Sequence, residues 1–152
     1  MYSGTEQNSD GSLTGWQQIA QREWSTRSVF AVKQDVKLLN EHIVRATLTE
    51  PLAALMDKRG LRGQRIDWFL PHMSSKHFSK PIAASLAEVG LDIPGERWFT
   101  NLAEKGNTGS ASPFIMLDEL FHSGRIKKAD TLLVFVPESG RFSSGFIFME
   151  AV

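Results

Sequence analysis

Ile66-Asp67-Trp68-Phe69-Leu70-Pro71-His72 is a short, apolar and aromatic run that ends in a histidine. It is too compact for a helix and carries the residue types of a buried strand. Just beyond it, Ser74 and Ser75 are placed to cap a helix running to about Val89, where Gly90 ends it. Pro81 is tolerable in the early turns of such a helix. Upstream, Val32, Val36, Leu39, Ile43 and Ala46 recur at three- and four-residue steps and Gly60 punctuates the end. That spacing predicts a long amphipathic helix, kinked or split in two by Pro51. Downstream, Arg97 to Asn101 fits a second strand, and the turn EKGNTG follows. ASPFIMLDELFHSG reads as a helix from about Ser110 to His122, stopped by Gly124. Its early half, with Ala111, Phe114, Ile115, Met116 and Leu117, is apolar nearly all round, as in a helix covered on more than one side. TLLVFVPES and SGFIFMEAV close the chain as a pair of strands in antiparallel hairpin order. The expected class is α/β, a mixed sheet of about four to five strands packed with helices.

Residues 1–28, rich in Gly, Ser, Asn and Thr, read as an irregular leading segment without a signal-peptide pattern, and residues 29–152 as the folded domain. At 152 residues the chain is long enough for one core and short for two. Hydrophobic residues at 41% and charged residues at 22% are the balance of a globular protein. Lys plus Arg equals Asp plus Glu at 17 each, which argues against a nucleic-acid or anionic-membrane partner. No apolar run approaches the roughly 20 residues that span a bilayer. With no cysteine, disulfides, zinc-thiolate sites and thiol catalysis are excluded together, and a reducing cytoplasm is the easiest home. No metal site is expected.

Three segments place polar groups just past a strand end, where ligands collect in open α/β sheets. In Pro71-His72-Met73-Ser74-Ser75, a rigid strand holds His72 where its ring can face a cavity; on the spacing alone a structural histidine bonded at a strand end is the preferred explanation. In Gly106-Asn107-Thr108-Gly109-Ser110, two glycines allow positive φ and close backbone approach ahead of a helix. Asn107 is then either a turn or cap residue, the commoner case, or an amide donor aimed at developing negative charge. Glu138-Ser139-Gly140-Arg141-Phe142-Ser143-Ser144-Gly145 is either a plain hairpin turn or a loop presenting a backbone N–H to an oxyanion.

Taken in order, Asp67-Trp68-Phe69-Leu70-Pro71-His72, Gly106-Asn107-Thr108-Gly109-Ser110-Ala111-Ser112, Leu117-Asp118-Glu119, Gly124-Arg125-Ile126-Lys127 and Gly140-Arg141-Phe142-Ser143-Ser144-Gly145 resemble a known set. The chain, from about Val29 to Val152, resembles the C-terminal half of a β-ketoacyl-acyl-carrier-protein synthase III-type condensing enzyme. The resemblance implies half of a thiolase-like fold and a decarboxylative Claisen condensation in fatty acid or related secondary-metabolite synthesis. It implies that His72 and Asn107 hydrogen-bond the malonyl thioester carbonyl, with a neutral imidazole donating through Nε2–H. Gly140 then matches the backbone donor of the acyl oxyanion hole. The resemblance further implies acyl carrier protein and an acyl-CoA or acyl-carrier thioester as partners, a homodimer at full length, and no resident cofactor beyond coenzyme A or phosphopantetheine carrying the substrates. Lys76, His77 and Lys80 form a basic face that either meets an acidic carrier protein or is a solvated helix surface.

The departures fall around the substrate. The family's usual His-Gln-Ala-Asn is His72-Met73-Ser74-Ser75 here, its Gly-Gly-Gly-Phe is Ser139-Gly140-Arg141-Phe142, and CoA-loading members carry an aromatic at Glu138. They leave the acyl donor open, carrier-bound donors included. The family's nucleophilic Cys lies in its N-terminal half, so this chain is expected to be a domain of a longer protein, inactive alone. A non-catalytic, condensing-enzyme-like partner subunit is the alternative; an upstream Cys at a strand-to-helix turn would distinguish the two.

Overall fold

A computed structural model describes residues 5–7, 13–15 and 35–152. Its centre is a three-stranded mixed sheet. β3 (Trp68–Pro71) lies parallel to β4 (Thr131–Glu138), and β4 pairs antiparallel with β5 (Ser143–Glu150). The register sets Trp68 opposite Leu132 and Pro71 opposite Phe135, while Glu138 faces Ser143 across the final hairpin. The register is pinned at its start by Asp67, whose carboxylate accepts from the N–H of Thr131 at 3.1 Å and whose own N–H donates to the Thr131 carbonyl at 2.9 Å.

β3 and β4 are buried on both faces, so they are apolar continuously rather than in alternation. Alternate residues feed two cores. Phe69, Leu133 and Phe135 point into one, with Leu48, Leu52, Met56, Ile82 and Leu86; Leu70, Leu132 and Val134 point into the other, with Met116 and Leu120. Each such fully buried side chain contributes about 1.5–3 kcal/mol relative to exposure. Phe69 meets Trp98 edge to face at 5.0 Å, and Phe135 stacks on Phe146 at 5.3 Å.

The first core is roofed by one helical run in three parts. α1 (Val36–Val44) is capped by the Asp35 carboxylate, which accepts from the Leu38 N–H at 2.9 Å. A π-helical turn, Arg45–Thr49, leads into α2 (Glu50–Arg59), which Gly60 ends at φ +63°. The kink expected at Pro51 takes this form because proline has no N–H to donate and its ring crowds the carbonyl four residues back, that of Thr47. The chain widens by a residue instead, with the Glu50 N–H donating to Arg45 O. The widening moves the buried face to Leu38, Ile43, Leu48, Leu52 and Met56. Val36, expected on that face, is 56% exposed, and Val32 lies outside the described residues.

The remaining helices carry the parallel crossover: α3 (Ser79–Glu88), entered through the 3₁₀ turn Lys76–Phe78, the short α4 (Leu102–Lys105), and α5 (Ser112–His122). Ser75 caps the 3₁₀ turn by accepting from the His77 N–H at 3.2 Å. Two expectations need correction. Arg97 to Asn101 is not a strand: it makes one parallel bridge, Trp98 to Phe69, because a 3₁₀ turn at Gly95–Arg97 precedes it and Asn101 turns the chain into α4. The sheet among the described residues therefore has three strands, not four to five. In the leading segment, expected to be irregular, β1 (Thr5–Gln7) pairs antiparallel with β2 (Leu13–Gly15); the rest of residues 1–34 lies outside the described residues.

Candidate functional site

β3 delivers His72 to a cavity of about 470 Å³ at the C-terminal end of the parallel strand pair. The His72 N–H donates to Phe135 O at 2.8 Å, which extends the β3–β4 ladder by one step and holds the residue rigidly. The side chain is buried at 8% exposure, and its Nδ1 is sealed with no hydrogen-bond partner among the described residues. Burial pushes its pKa below the ordinary 6.5, so the ring is neutral at pH 7. A buried N–H without an acceptor is the costlier orphan, which favours the tautomer with its proton on Nε2.

Asn107 lines the same cavity from the loop between α4 and α5. Gly106 at φ +71° ends α4, and Gly109 at φ +59° starts the 3₁₀ turn into α5. Between them the Asn107 side chain closes an Asx turn: Oδ1 accepts from the Gly109 N–H at 3.0 Å. The turn role and the donor role are thus compatible, since the bond engages the oxygen and not the NH₂. The loop is anchored from behind. Buried Asn101 donates through Nδ2 to Glu119 Oε2 at 2.7 Å, and Lys105 meets the other oxygen of Glu119 at 3.2 Å.

The third wall is the end of β4 and its turn, Phe135 to Ser139. Here Glu138 turns its carboxylate back over the loop. Oε1 accepts from the Gly140 N–H at 2.5 Å, and Oε2 accepts from the Arg141 N–H at 3.0 Å and the Ser143 hydroxyl at 3.1 Å. The buried Gly140 N–H is therefore occupied. The turn's positive φ, +51°, falls on Phe142, a conformation uncommon for a bulky residue.

Sequence reasoning missed two contributors. Leu39, Ile43, Val44 and Thr47, from α1 and the π turn, form a fourth side of the cavity; the only signal for this was Pro51. Glu138 was noted for its identity, whereas its reach to the two N–H groups that follow depends on the turn's backbone. Lys76, His77 and Lys80 are exposed, outside the cavity lining, with no ion pair among the described residues. Among the described residues no three His, Cys, Asp or Glu side chains gather as a metal site would require.

This ordered set, strand-end His, Gly-Asn loop and closing glycine turn, lies within residues 56–148, which match the family model described as 3-oxoacyl-[acyl-carrier-protein (ACP)] synthase III C terminal. The chain belongs to this family. Among curated synthase III relatives it is 29% identical over 109 residues to the β-ketoacyl-[acyl-carrier-protein] synthase III of Hyphomonas neptunium, which covers 72% of this chain and 32% of that protein. It is 36% identical over 87 residues to the synthase III of Coxiella burnetii, covering 57% of this chain and 26% of the relative. The chain thus spans about a third or less of the length of these synthases. The crystal structure of the Aquifex aeolicus synthase III superposes with a TM-score of 0.62 over 97% of this chain and 40% of that one, at 22% identity, which establishes the shared fold. The family-model match begins within α2, while the Aquifex aeolicus superposition, at 97% of this chain, also takes in the helical run before it, which walls the cavity.

Proposed function

We propose that this domain supplies the decarboxylation half of a condensing site, with His72 and Asn107 donating hydrogen bonds to the carbonyl oxygen of a malonyl thioester. Loss of CO₂ leaves an electron pair on the α-carbon, delocalised onto that oxygen as an enolate. Two neutral donors held in place stabilise the new charge, and the carbanion attacks the carbonyl carbon of an acyl thioester, forming the C–C bond as the C–S bond breaks and the thiolate leaves. The observation that carries the reading is the cavity the two residues share, with a buried neutral imidazole and an amide whose oxygen is already held. A ring whose basicity burial has lowered is a weaker general base, yet its neutral form still donates through Nε2–H.

In this reading the whole protein is an acyltransferase of fatty acid or related secondary-metabolite synthesis, cytoplasmic and homodimeric, without a resident cofactor. Its substrates ride on coenzyme A or on the phosphopantetheine of an acyl carrier protein, which docks on the exposed Lys76, His77 and Lys80. The acyl-carrying Cys belongs to another part of that protein, so the present chain condenses nothing by itself. Labelled acyl-CoA should leave it unmodified; a covalent adduct would contradict this.

The direct test is an NMR titration of this chain with malonyl-pantetheine in which an amide replaces the thioester. The Asn107 side-chain NH₂ and the His72 ring should shift together and saturably. Saturation at neither group sinks the proposal. One observation favours a second reading, a non-catalytic partner subunit: the Gly140 N–H already has an acceptor in Glu138.

A further inference from the structure

The turn that closes the β4–β5 hairpin is built as an anion receptor. Two successive N–H groups, those of Gly140 and Arg141, and the hydroxyl of Ser143 converge on one carboxylate, that of Glu138. Successive backbone N–H groups in a turn form a concavity that binds anions generally. The carboxylate comes from a residue that also lines the His72–Asn107 cavity, together with Ser139, while the donor residues Gly140, Arg141 and Ser143 follow directly in the chain, outside that lining. The turn around it keeps Phe142 at φ +51°, and the bonds from Glu138 reach both sides of that residue, to Arg141 and to Ser143.

We infer that Glu138 is an internal occupant of an anion site on this loop, and that a small carboxylate or a thioester-derived oxyanion reaches the Gly140 and Arg141 N–H groups only when the Glu138 side chain leaves them. The occupant is tethered two and three residues from its donors, so its effective concentration is far above that of any free anion, in the millimolar range or higher for short tethers. An incoming oxygen must therefore displace a charge-assisted pair of bonds before it gains one. The functional consequence, a site whose oxyanion donors open only as the side chain swings out, rests on the reading of Gly140 as the acyl-oxyanion donor. The receptor itself does not depend on it.

The test uses ¹⁵N NMR on the 152-residue chain with sodium acetate as probe, at constant ionic strength against chloride. In the Glu138→Ala variant, acetate should shift the Gly140 and Arg141 amides saturably, while the unsubstituted chain shows no saturable shift at either. Glu138→Gln, which keeps the shape and removes the charge, should respond more weakly than Glu138→Ala and more than the unsubstituted chain. Exchange protection of Val136 and Gly145, paired across the hairpin, reports whether the turn survives each substitution. Three results would overturn the inference: no saturation in Glu138→Ala with the hairpin protected, equal saturation in the unsubstituted chain, or loss of hairpin protection in Glu138→Ala. In the last case the carboxylate would be part of the fold rather than the occupant of a preformed site. None of these outcomes touches the Asn107 and His72 response to the malonyl amide, so the two proposals fail separately.

Discussion

At residue 72 an imidazole sits where no neighbour among the described residues satisfies its Nδ1 and burial disfavours its charge. The unfolded chain takes up a proton at this position near pH 6.5, and the folded chain only at lower pH. Stability tied to the neutral ring is therefore complete above pH 6.5 and is lost as pH falls below it toward the depressed folded value. The urea midpoint should decline from about pH 7 to about pH 5, and His72→Asn should flatten that window. Asp67 belongs to a separate, more acidic window. Burial works against its ionisation, but bonds from the Thr131 N–H and hydroxyl and from Arg65 outweigh this and hold it below the ordinary 3.8. In the full-length protein, His72→Ala or Asn107→Ala should cut malonyl decarboxylation by about 10²–10³-fold, the usual cost of one oxyanion donor, while acyl loading survives. The residue types in the Gly-Asn loop were legible as a turn. The side chain that Asn107 directs at Gly109 was not, since an Asx turn and a free amide have the same sequence.

Among the elements, β3 and β4 were plain in the sequence because both strands are buried on two faces and read as unbroken apolar runs, whereas β5 is half exposed and was legible from its position in the hairpin. Phe69→Ala should cost about 3–5 kcal/mol by urea denaturation, since Phe69 is fully buried against Trp98. The single bridge at Trp98 was misread as a strand because Trp-Phe-Thr has strand propensity, and pairing is decided by the neighbours available. The helical run before β3 was legible in extent but not in phase, because a π turn adds one residue and rotates everything upstream. α4 is too short to hold itself, and the buried Asn101 bond to Glu119 ties it to α5. Asn101→Ala should cost about 1–3 kcal/mol and raise amide exchange in residues 102–109 before it affects α5.

For the whole molecule, the side of α5 turned away from its core is apolar and bare. Phe114 and Phe121 are each 68% exposed, and Ile147 and Phe148 of β5 stay 43% and 37% exposed. Scattered apolar side chains are ordinary on surfaces, but Phe114 and Phe121 share a shallow hollow of about 590 Å³ with Leu117, Ile126 and Met149. Light scattering should show self-association that weakens in a Phe114→Ser/Phe121→Ser double variant, whereas a strictly monomeric parent chain would count against a sticky face. The apolar pattern of α5 announced this helix as one meant to be covered on more than one side. The sequence by itself determined the α/β class, the family-specific order of strand-end histidine, Gly-Asn loop and closing turn, and the absence of a thiol, because these are properties of residue identity and local period. Only the tertiary structure decided that the imidazole and the carboxamide share a cavity, that α1 and the π turn wall its other side, and that Glu138 fills the donors of Gly140 and Arg141. Those facts are distances between residues remote in sequence or set by backbone dihedrals, and neither is written in any local pattern.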